Sequence, residues 1–547
     1  MKISTLPRIG ASMLTLGAST FLVLAYNASF WRTFFSATGG IRLGNLPVYL
    51  GAFAALVLLF NAVLTLVNFR FVIKPVLTAL FLGASLASYF MNRYGVAIDA
   101  SMVQNVVETD AREAHELLSW QMLQTVTLLG IVPSLLVWRL PLRFPPMRRG
   151  LLLKLGTVVL SVVAVAALLM LLFKTLGPAV REHRELRFLL TPTNMFQATH
   201  GYLKRKWATP AVIAPLGTDA GRGVKWAAAR RRRTVTVIVA GETARAANFS
   251  LNGYGRQTNP LLSAQPGLIN FRHVSSCGTA TAVSIPCAFS NLGRDDYTAD
   301  KAASREGLLD VLSHAGFDVL WRDNNSGCKG VCDRVRYEDV SRPRPGMPPC
   351  GAEECHDEQL LAGLRQTIHD STRDLVIVLH QKGSHGPEYW KRYPAAFGKF
   401  EPVCRTNELE ECSRESIVAA YDNTILYTDL VLSKTIDLLR AAAAEDDVDT
   451  SMLYFSDHGE SLGEHNMYLH GAPYFISPAE QRQVPMMLWM SNGFRERFRI
   501  DYACLAARTA QPFSHDNVFH TVLGMLNVST AVYNPKLDVI HPCSRDN

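Results

Sequence analysis

Polar side chains follow four short apolar runs of this chain, at the point where each run ends. They are carboxylates, imidazoles, one hydroxyl and one lysine: Glu242 in GET, Ser326 and Lys329 in RDNNSGCKG, His380 and His385 in HQKGSHG, and Asp457, His458 and His470 in SDHGESLGEHNMYLHG. Carboxylate and imidazole groups together suit zinc in tetrahedral geometry, and manganese also accepts them. If the run ends lie side by side, the sequence predicts a metal centre with a lysine beside it.

A separate stretch, SSCGTATAVSIPC from Ser275 to Cys287, supplies hydroxyl groups without an acid or base. The hydroxyls between its two cysteines are those of Thr279, Thr281 and Ser284. Such a hydroxyl is a weak nucleophile, but a bound divalent cation lowers its pKa, so the loop needs no base of its own. The alternative interpretation is a surface turn closed by a disulfide, in which Ser, Thr and Gly are ordinary residues.

The apolar runs predict the elements that must position these groups. The runs are TVTVIVA (234–240), FDVLW (317–321), DLVIVLH (374–380), SMLYFSD (451–457) and VPMMLWM (484–490). Apolar strands separated by helix-like stretches are typical of a mostly parallel sheet flanked by helices. Ligands of such sheets bind beyond the carboxyl ends of the strands, where the polar groups follow. The predicted fold of residues 234–547 is therefore α/β, and this part is the predicted catalytic domain.

Five long uncharged stretches precede this domain and are near the ~20 residues that a helix needs to cross a bilayer. They are Ile9–Trp31, Leu43–Phe69, Pro75–Asn92, Leu117–Trp138 and Leu155–Phe173. A cleaved signal peptide is the alternative for the first, but four more follow it. The sequence predicts an all-α transmembrane domain of five helices in residues 1–175. Basic residues favour alternate loops, which predicts a cytoplasmic N-terminus and an exported, periplasmic C-terminal part.

Residues 176–233 are predicted to form a bridging helix or linker at the membrane surface, because apolar and basic residues mix there. The run Arg230–Arg233 ends the bridge. A nucleic-acid patch is the other interpretation of such a run, but an exported segment has no nucleic acid to bind. We expect contact with acidic lipid headgroups or plain solvation instead. The net charge of +8 also favours an anionic partner.

All ten cysteines lie in the predicted exported part, which is typical of disulfides in an oxidising compartment. Zinc clusters are the alternative, but paired CxxC spacings are absent. Sequence alone leaves the connectivity open, and pairing close neighbours is the simplest arrangement. It joins Cys277 to Cys287, Cys328 to Cys332, Cys350 to Cys355 and Cys404 to Cys412, and leaves Cys504 with Cys543.

Five motifs of the chain occur in an order and spacing that resemble a known family. The motifs are GET, SCGTATAVSIPC, DNNSGCKGVCD, HQKGSHGP and SDHGESLGE…YLHG. They resemble those of the phosphoethanolamine transferases of Gram-negative bacteria, including the lipid A enzymes and the mobile colistin-resistance enzymes. The resemblance covers nearly the whole chain, including the five spans. It implies an exported domain of the alkaline phosphatase/sulfatase type with a catalytic zinc.

The resemblance also implies roles for individual positions. Thr281, the second threonine of CGTAT, is the implied nucleophile, and the implied zinc ligands are Glu242, Thr281, Asp457 and His458. The implied phosphoethanolamine-binding residues are Ser326, Lys329, His385 and His470, of which Lys329, His385 and His470 also assist catalysis and the two histidines can take a second zinc. His380 is expected to be structural, and His465 receives no function.

One loop between the predicted spans, SMVQNVVETDAREAHELL, has a polar face. Asn105, Thr109 and Glu113 recur every four residues and therefore share one side of a helix. A polar face on an outer loop is usually just solvated. The resemblance instead implies that these residues line the lipid-substrate site, where Glu113 pairs with the ethanolamine ammonium.

The implied function is transfer of phosphoethanolamine from phosphatidylethanolamine to a lipid A phosphate, through an ester on Thr281. The enzyme is expected to be a multi-pass monomer of the Gram-negative inner membrane, in contact with its lipids, and to confer resistance to polymyxins and other cationic peptides.

Alternative acceptors are a core sugar of lipopolysaccharide and a periplasmic glucan. A lipoteichoic acid synthase fits the cysteine-rich motifs less well, and a sulfatase needs a CxPxR-type motif that the chain lacks. A non-catalytic membrane sensor or scaffold is the alternative from another class, and the intact Glu242, Thr281, Asp457 and His458 argue against it.

Overall fold

The computed structural model describes residues 8–38, 40–108, 116–183, 186–207, 212–227, 232–343, 350 and 354–545. The chain divides into two compact units. The first comprises residues 1–103 and 118–203, and the second comprises residues 104–117 and 204–547. Each unit has hydrophobic clusters of its own, as expected of a separate domain.

The first unit is helical. Its helices are α1 (Ala11–Ala25), α2 (Ala28–Ala37), α3 (Leu46–Leu66), α4 (Ile73–Tyr94), α5 (Ala100–Glu108, which continues into the second unit), α6 (Trp120–Thr125), α7 (Val132–Arg139), α8 (Met147–Glu182), α9 (Leu186–Leu189) and α10 (Thr193–Trp207). A π-helical turn, Val126–Ile131, joins α6 to α7. Two short strands, β1 (Ile9–Gly10) and β2 (Leu142–Arg143), pair in parallel.

Four helical segments of the described part are long and apolar enough to cross a membrane: Leu43–Leu66, Ile73–Tyr94, Trp120–Arg139 and Met147–Leu172. The stretch predicted as one first span is instead a pair of helices, α1 and α2, that meet at 67°. The break falls at Asn27, whose buried amide donates to the carbonyls of Leu22 (2.8 Å) and Thr191 (2.9 Å). These two bonds hold the chain at the break between α1 and α2. The described residues thus hold four candidate spans, or five if the bent pair counts as one.

The second unit is built on an eight-stranded sheet. In chain order its strands are β4 (Arg233–Gly241), β5 (Ile269–Ser275), β6 (Asp318–Asp323), β7 (Arg336–Asp339), β8 (Leu375–His380), β9 (Val448–Ser456), β12 (Gln483–Met490) and β13 (Pro512–Ser514). Their spatial order is β13-β5-β12-β9-β4-β8-β6-β7. Among the described strands of this sheet only β12 runs antiparallel to its neighbours, so the predicted mostly parallel sheet is confirmed. Two small antiparallel pairs join β3 (Gly221–Arg222) to β14 (Val528–Ser529), and β10 (Ser461–Leu462) to β11 (Tyr468–Leu469).

Helices cover both faces of this sheet. They are α11 (Pro260–Ser263), α12 (Thr281–Ala288), α13 (Gly293–Asp296), α14 (Ala299–Ala303), α15 (Leu308–His314), α16 (Leu364–Asp370), α17 (Arg414–Glu445), α18 (Ala479–Arg482), α19 (Asn492–Arg497), α20 (Tyr502–Ala507) and α21 (Asp516–Met525). Alternate side chains of a strand point to opposite faces, and β9 accordingly places Leu453 in one core and Met452 in the other. Burial on both faces explains why the central strands are continuous apolar runs. The predicted α/β fold class is confirmed.

All five predicted strands are present, but β5, β7 and β13 were not predicted. Strand β5, INFRHVS, carries partly exposed polar residues, and β7 and β13 have only four and three residues. Such short or mixed strands form because a neighbouring strand offers hydrogen-bonding partners, and this cannot be seen in a local apolar pattern.

Two residues of the basic run at the end of the bridge bond within the second unit. Arg232 forms an ion pair with Asp447 (2.5 Å), and Arg233 donates to the Ile368 carbonyl (3.2 Å). These two residues are therefore part of the folded unit rather than freely solvated. Arg230 and Arg231 lie outside the described residues.

Candidate active site

The register of the sheet brings Glu242 and Asp457 together. Strands β4 and β9 pair in parallel as far as Gly241 and Ser456, so the next residues on both strands are neighbours. The Asp457 amide donates to the Gly241 carbonyl (2.9 Å), which fixes this contact. Both carboxylates are fully buried at the carboxyl edge of the sheet.

Of the three hydroxyls in the disulfide loop, the one that faces the carboxylates is that of Thr281. Its Oγ1 donates to Glu242 Oε2 (3.0 Å) and lies 3.3 Å from His458 Nε2. The Thr279 hydroxyl donates to the Ala472 carbonyl (2.6 Å), and the Ser284 hydroxyl accepts from the Gly278 amide (2.9 Å). Thr279 and Ser284 therefore hold the loop, while Thr281, the first residue of α12, is presented to the site.

The residues around Thr281 fit a divalent cation. The ligand atoms of Glu242, Asp457 and His458 lie within 4.8 Å of one another and are buried. Within the described part of the chain, Asp457 Oδ2 accepts no hydrogen bond although it is buried. The His458 Nδ1–H donates to the Gly459 carbonyl (2.9 Å), which leaves Nε2 of the neutral ring free to bind a metal. Two buried carboxylates, an imidazole nitrogen and a hydroxyl form a donor set that zinc accepts.

The electrostatics of the site favour positive charge between the carboxylates. Burial and the neighbouring charge of Glu242 raise the pKa of Asp457. Burial alone would lower the pKa of His458, but Asp457 and Glu242 raise it to about 10. The imidazolium thus supplies positive charge that a bound divalent cation could supply instead.

Lys329 and Ser326 lie together after β6. Lys329 Nζ donates to the Ser326 carbonyl (3.0 Å) and hydroxyl (3.1 Å). Lys329 has a left-handed backbone (φ 51°) within the turn that the Cys328–Cys332 disulfide closes. An L-residue adopts this conformation only where its surroundings require it. The short disulfide loop therefore holds the Lys329 ammonium beside Ser326.

His470 lies against His458, and His385 lies against His470. The ring centroids are 4.3 Å apart in the first pair and 5.6 Å in the second. His470 Nδ1 bonds to Glu460 Oε2 (3.2 Å), and Glu460 is fully buried. The two histidines therefore border the cluster of Glu242, Asp457 and His458, and a carboxylate orients one of them.

His380 is completely buried and lies behind the site. Its Nδ1 bonds to Asp323 Oδ1 (2.5 Å), which joins β8 to β6. Its Nε2 lies 3.4 Å from Asn325 Nδ2. This position agrees with the structural role expected from the sequence. His465 lies in the turn Glu464–Asn466 with a left-handed backbone, and no function is assigned to it.

The polar face predicted between the spans comprises Asn105, Thr109 and Glu113. The structure describes Asn105, which lies on α5 within the second unit. Its Nδ2 is 3.9 Å from the point that a Cβ on Gly471 would occupy, beside His470. Thr109 and Glu113 lie outside the described residues.

Three residues near the site were missed by the sequence analysis. Asn325 Nδ2 donates to Glu242 Oε2 (2.8 Å), Glu460 orients His470, and buried His515 bonds to the backbone on both sides of the site. Asn325 and Glu460 stand inside the motifs DNNSGCKG and SDHGES, so proximity to Ser326 and His458 was a signal for them. His515 is distant in sequence from every motif, and no local pattern indicates it.

The ten cysteines form five disulfides in the sequential pairing that was simplest from the sequence. They join Cys277 to Cys287, Cys328 to Cys332, Cys350 to Cys355, Cys404 to Cys412, and Cys504 to Cys543. The described part of the chain contains no free cysteine. Two of the five close the loops that carry Thr281 and Lys329.

Comparisons with known proteins agree with this architecture. A sulfatase family model matches residues 234–528, and a family model described as phosphoethanolamine transferase EptA/EptB matches residues 56–207. The chain is 38% identical to phosphoethanolamine transferase EptA of Escherichia coli K12 over 531 residues, which cover 96% of each chain. It is also 38% identical to phosphatidylethanolamine transferase Mcr-2 of Escherichia coli, over 85% of this chain and 86% of that one.

A solved structure extends the likeness to three dimensions. The integral membrane lipooligosaccharide phosphoethanolamine transferase A (EptA) of Neisseria meningitidis superposes with a TM-score of 0.93 at 34% identity, over 98% of this chain and 100% of that one. The identity and coverage of these relatives confirm the resemblance drawn from the motifs. The chain therefore belongs to the EptA family of phosphoethanolamine transferases, and its second unit carries a sulfatase-family domain.

Proposed function

We propose that this protein transfers phosphoethanolamine from phosphatidylethanolamine to a lipid A phosphate, through a covalent ester on Thr281. The observation that carries the proposal is the contact of Thr281 Oγ1 with Glu242 Oε2 (3.0 Å), beside His458 and at the carboxyl edge of the sheet. The names of two relatives support the substrates: Mcr-2 of Escherichia coli, at 38% identity, is a phosphatidylethanolamine transferase, and the protein of Neisseria meningitidis, at 34% identity, is a lipooligosaccharide phosphoethanolamine transferase.

The first half of the reaction forms the ester. Thr281 Oγ attacks the phosphorus of the donor, the bond from phosphorus to the glycerol oxygen breaks, and diacylglycerol leaves. The hydroxyl proton of Thr281 points at Glu242 Oε2, its nearest acceptor. His385 or His470, of which Glu460 orients the second, would give a proton to the glycerol oxygen. In the second half an acceptor phosphate attacks the same phosphorus and frees Thr281.

The remaining polar residues hold the group that is transferred. Lys329 and Ser326 present an ammonium and a hydroxyl to the phosphoryl oxygens, whose charge is the main obstacle in such transfers. Glu242, Asp457, His458 and Thr281 would hold a zinc ion. Bound there, zinc would lower the pKa of the Thr281 hydroxyl and offset charge on the phosphoryl oxygens. Glu113 is proposed to pair with the ethanolamine ammonium, and Asn105 and Thr109 to line the same lipid site.

The protein is proposed to act at the periplasmic face of the inner membrane. Its candidate spans, the exported disulfide-rich part and the loop charges of the sequence support this location. Residues 1–175, 176–233 and 234–547 are proposed as membrane, bridging and catalytic regions. Both substrates are membrane lipids, so an anchored catalytic unit meets them at high effective concentration. Adding an ammonium to lipid A reduces its negative charge, which would lower the affinity of polymyxins.

Mass spectrometry of lipid A from cells that express the full-length chain tests the proposal. A phosphoethanolamine mass added to lipid A, absent from cells that carry Thr281→Ala, is the expected result. A wild-type protein that leaves lipid A unchanged and modifies a core sugar or a periplasmic glucan would refute the proposed acceptor. A wild-type protein that modifies none of these and releases no diacylglycerol would refute the enzyme itself.

A further inference from the structure

Arg392 is a buried arginine that joins three separate segments of the second unit. Its Nε donates to the His385 carbonyl (2.7 Å). Its two terminal nitrogens donate to Glu354 Oε2 and Glu116 Oε2. The Arg392 side chain has no exposed surface, and the two glutamate side chains are only 14% and 11% exposed. Removing a partner from a buried charge is strongly unfavourable, so the three segments are held firmly at this one residue.

The bond to His385 supports the loop that follows β8. The Ser384 amide donates to the Glu242 carbonyl (3.0 Å), so the chain just before His385 is held at the candidate metal cluster. On the other side of this contact, Arg392 holds the carbonyl of His385 itself. The peptide unit of His385 therefore lies between a bond to Glu242 and a bond to Arg392, and both bonds set its position.

Glu116 brings in a segment whose neighbours in the chain lie elsewhere. Residues 104–117 belong to the second unit, whereas the chain on both sides of them belongs to the first. Glu116 is held at two points, because Arg392 bonds to its carboxylate and Asn407 Nδ2 donates to its carbonyl (2.6 Å). The attachment of this segment and the peptide unit of His385 thus share one guanidinium.

The planar shape of the guanidinium connects its three bonds. The carboxylates of Glu116 and Glu354 contact its two terminal nitrogens and so fix the plane of the group. The Nε–H lies in the same plane, and its direction toward the His385 carbonyl is fixed with it. Loss of one carboxylate would loosen this plane. A lysine would keep the charge, but its single nitrogen lacks the rigid fork that binds three acceptors in a defined geometry.

We propose that Arg392 is a positioning residue for phosphoethanolamine transfer, an inference that rests on the function proposed above. Arg392 couples the attachment of residues 104–117, at Glu116, to the position of His385, which is proposed to hold the transferred group. Small displacements of a positioning group can lower turnover by up to about 100-fold. Glu116 therefore affects turnover through Arg392.

Backbone hydrogen exchange of the full-length protein, followed by mass spectrometry, measures this coupling without relying on activity. Arg392→Lys and, separately, Glu116→Gln should raise exchange in residues 382–391 about tenfold, the usual effect of losing one hydrogen bond. Arg497→Lys is the matched control, because Arg497 is also buried and bonds to Asp449 (3.1 Å), near the start of β9 and not at its site end. It should leave this exchange unchanged. Wild-type exchange in Glu116→Gln would refute the coupling, even if Arg392→Lys failed to fold.

Diacylglycerol release from dioleoylphosphatidylethanolamine in detergent micelles tests whether the coupling serves the reaction. Arg392→Lys should lower release about tenfold in the wild-type background and add little to the loss caused by His385→Gln, because residues that act through one another are not additive. Equal fractional losses in both backgrounds would mean a merely structural arginine and refute the positioning role, as would a wild-type rate for Arg392→Lys. A wild-type protein that releases no diacylglycerol would refute the proposed function, and the exchange comparison would still decide the coupling.

Discussion

Asn325 and Thr281 donate hydrogen bonds to the same oxygen of Glu242. Asn325 Nδ2 lies 2.8 Å from Oε2, and Thr281 Oγ1 lies 3.0 Å from it. Asn325 also donates to the Gln381 carbonyl (2.9 Å), so its amide is fixed from two sides. Since Glu242 follows β4 and Asn325 follows β6, the amide joins two strand ends at the proposed metal site.

We expect Asn325→Ala to weaken zinc binding. The substitution removes the bond that holds the Glu242 carboxylate toward Thr281, and loss of such a supporting bond typically costs 10–100-fold in metal affinity or activity. Competition with a fluorescent zinc chelator measures the affinity of the purified full-length protein directly. Asn270→Ala is the control, because among the described residues that amide donates to Leu251 and Asn252 and not to the site. Unchanged zinc affinity in Asn325→Ala would show that Glu242 needs no support from the amide.

Thr281→Ala should abolish diacylglycerol release and remove the covalent phosphoethanolamine adduct seen by intact-protein mass spectrometry. Thr281→Ser keeps a hydroxyl at the start of α12 and should retain measurable turnover and an adduct. Thr279→Val loosens the same loop without touching Glu242, because the Thr279 hydroxyl bonds to the Ala472 carbonyl, and it should therefore retain the adduct. Turnover by Thr281→Ala at the wild-type rate would eliminate the covalent mechanism.

Removal of divalent metal should abolish turnover, and added zinc should restore it. Without a metal ion, His458 alone offsets the negative charge of the two buried carboxylates, Glu242 and Asp457. The raised pKa of Asp457 indicates that this compensation is incomplete. Dialysis against a chelator, followed by diacylglycerol assays with zinc or manganese, also decides between the two metals that the ligand types allow. Full activity in metal-free protein, verified by elemental analysis, would rule out a role for the ion.

The sequence predicted the parts of the site whose chemistry follows directly after a buried strand. Glu242, Asp457 and His458 could be placed because parallel strands end at one edge, and the register of β4 with β9 puts them together. The choice of Thr281 over Thr279 could not be made from spacing. The Thr279 hydroxyl forms a hydrogen bond that holds the loop, whereas the Thr281 hydroxyl bonds to Glu242, and this difference is visible in the folded loop alone.

Long-range backbone contacts were beyond any local pattern. The bend at Asn27 depends on Thr191, which lies more than 160 residues away in the chain. The antiparallel course of β12 follows from its neighbours β5 and β9, because its apolar run would suit either direction. Similarly, His515 is neither in a motif nor at a predicted strand end, although it contacts the backbone of two segments that carry site residues.

His515 links the loop that contains Thr281 to the end of β9, which Asp457 follows. Its Nδ1 accepts from the Cys277 amide (3.2 Å), and its Nε2–H donates to the Ser456 carbonyl (3.0 Å). Both bonds together require the neutral ring, because a protonated Nδ1 would oppose the Cys277 N–H. Burial lowers the pKa of His515 to about 4. The unfolded chain binds this proton near pH 6.5, so the stabilising effect is complete above that pH and is lost as the pH falls toward 4.

We therefore expect the thermal midpoint of the wild-type protein to fall between pH 6.5 and 4.5 more steeply than that of His515→Gln, which has no such proton to bind. The difference in stability should approach ~3 kcal/mol at the low end, since each pKa unit corresponds to ~1.36 kcal/mol. His273→Gln, at an exposed histidine of β5, should keep the wild-type slope. Circular dichroism melts of the three full-length proteins across this range make the comparison. Parallel slopes for wild type and His515→Gln would mean that the ring is not held neutral, and that the two backbone segments are joined without it.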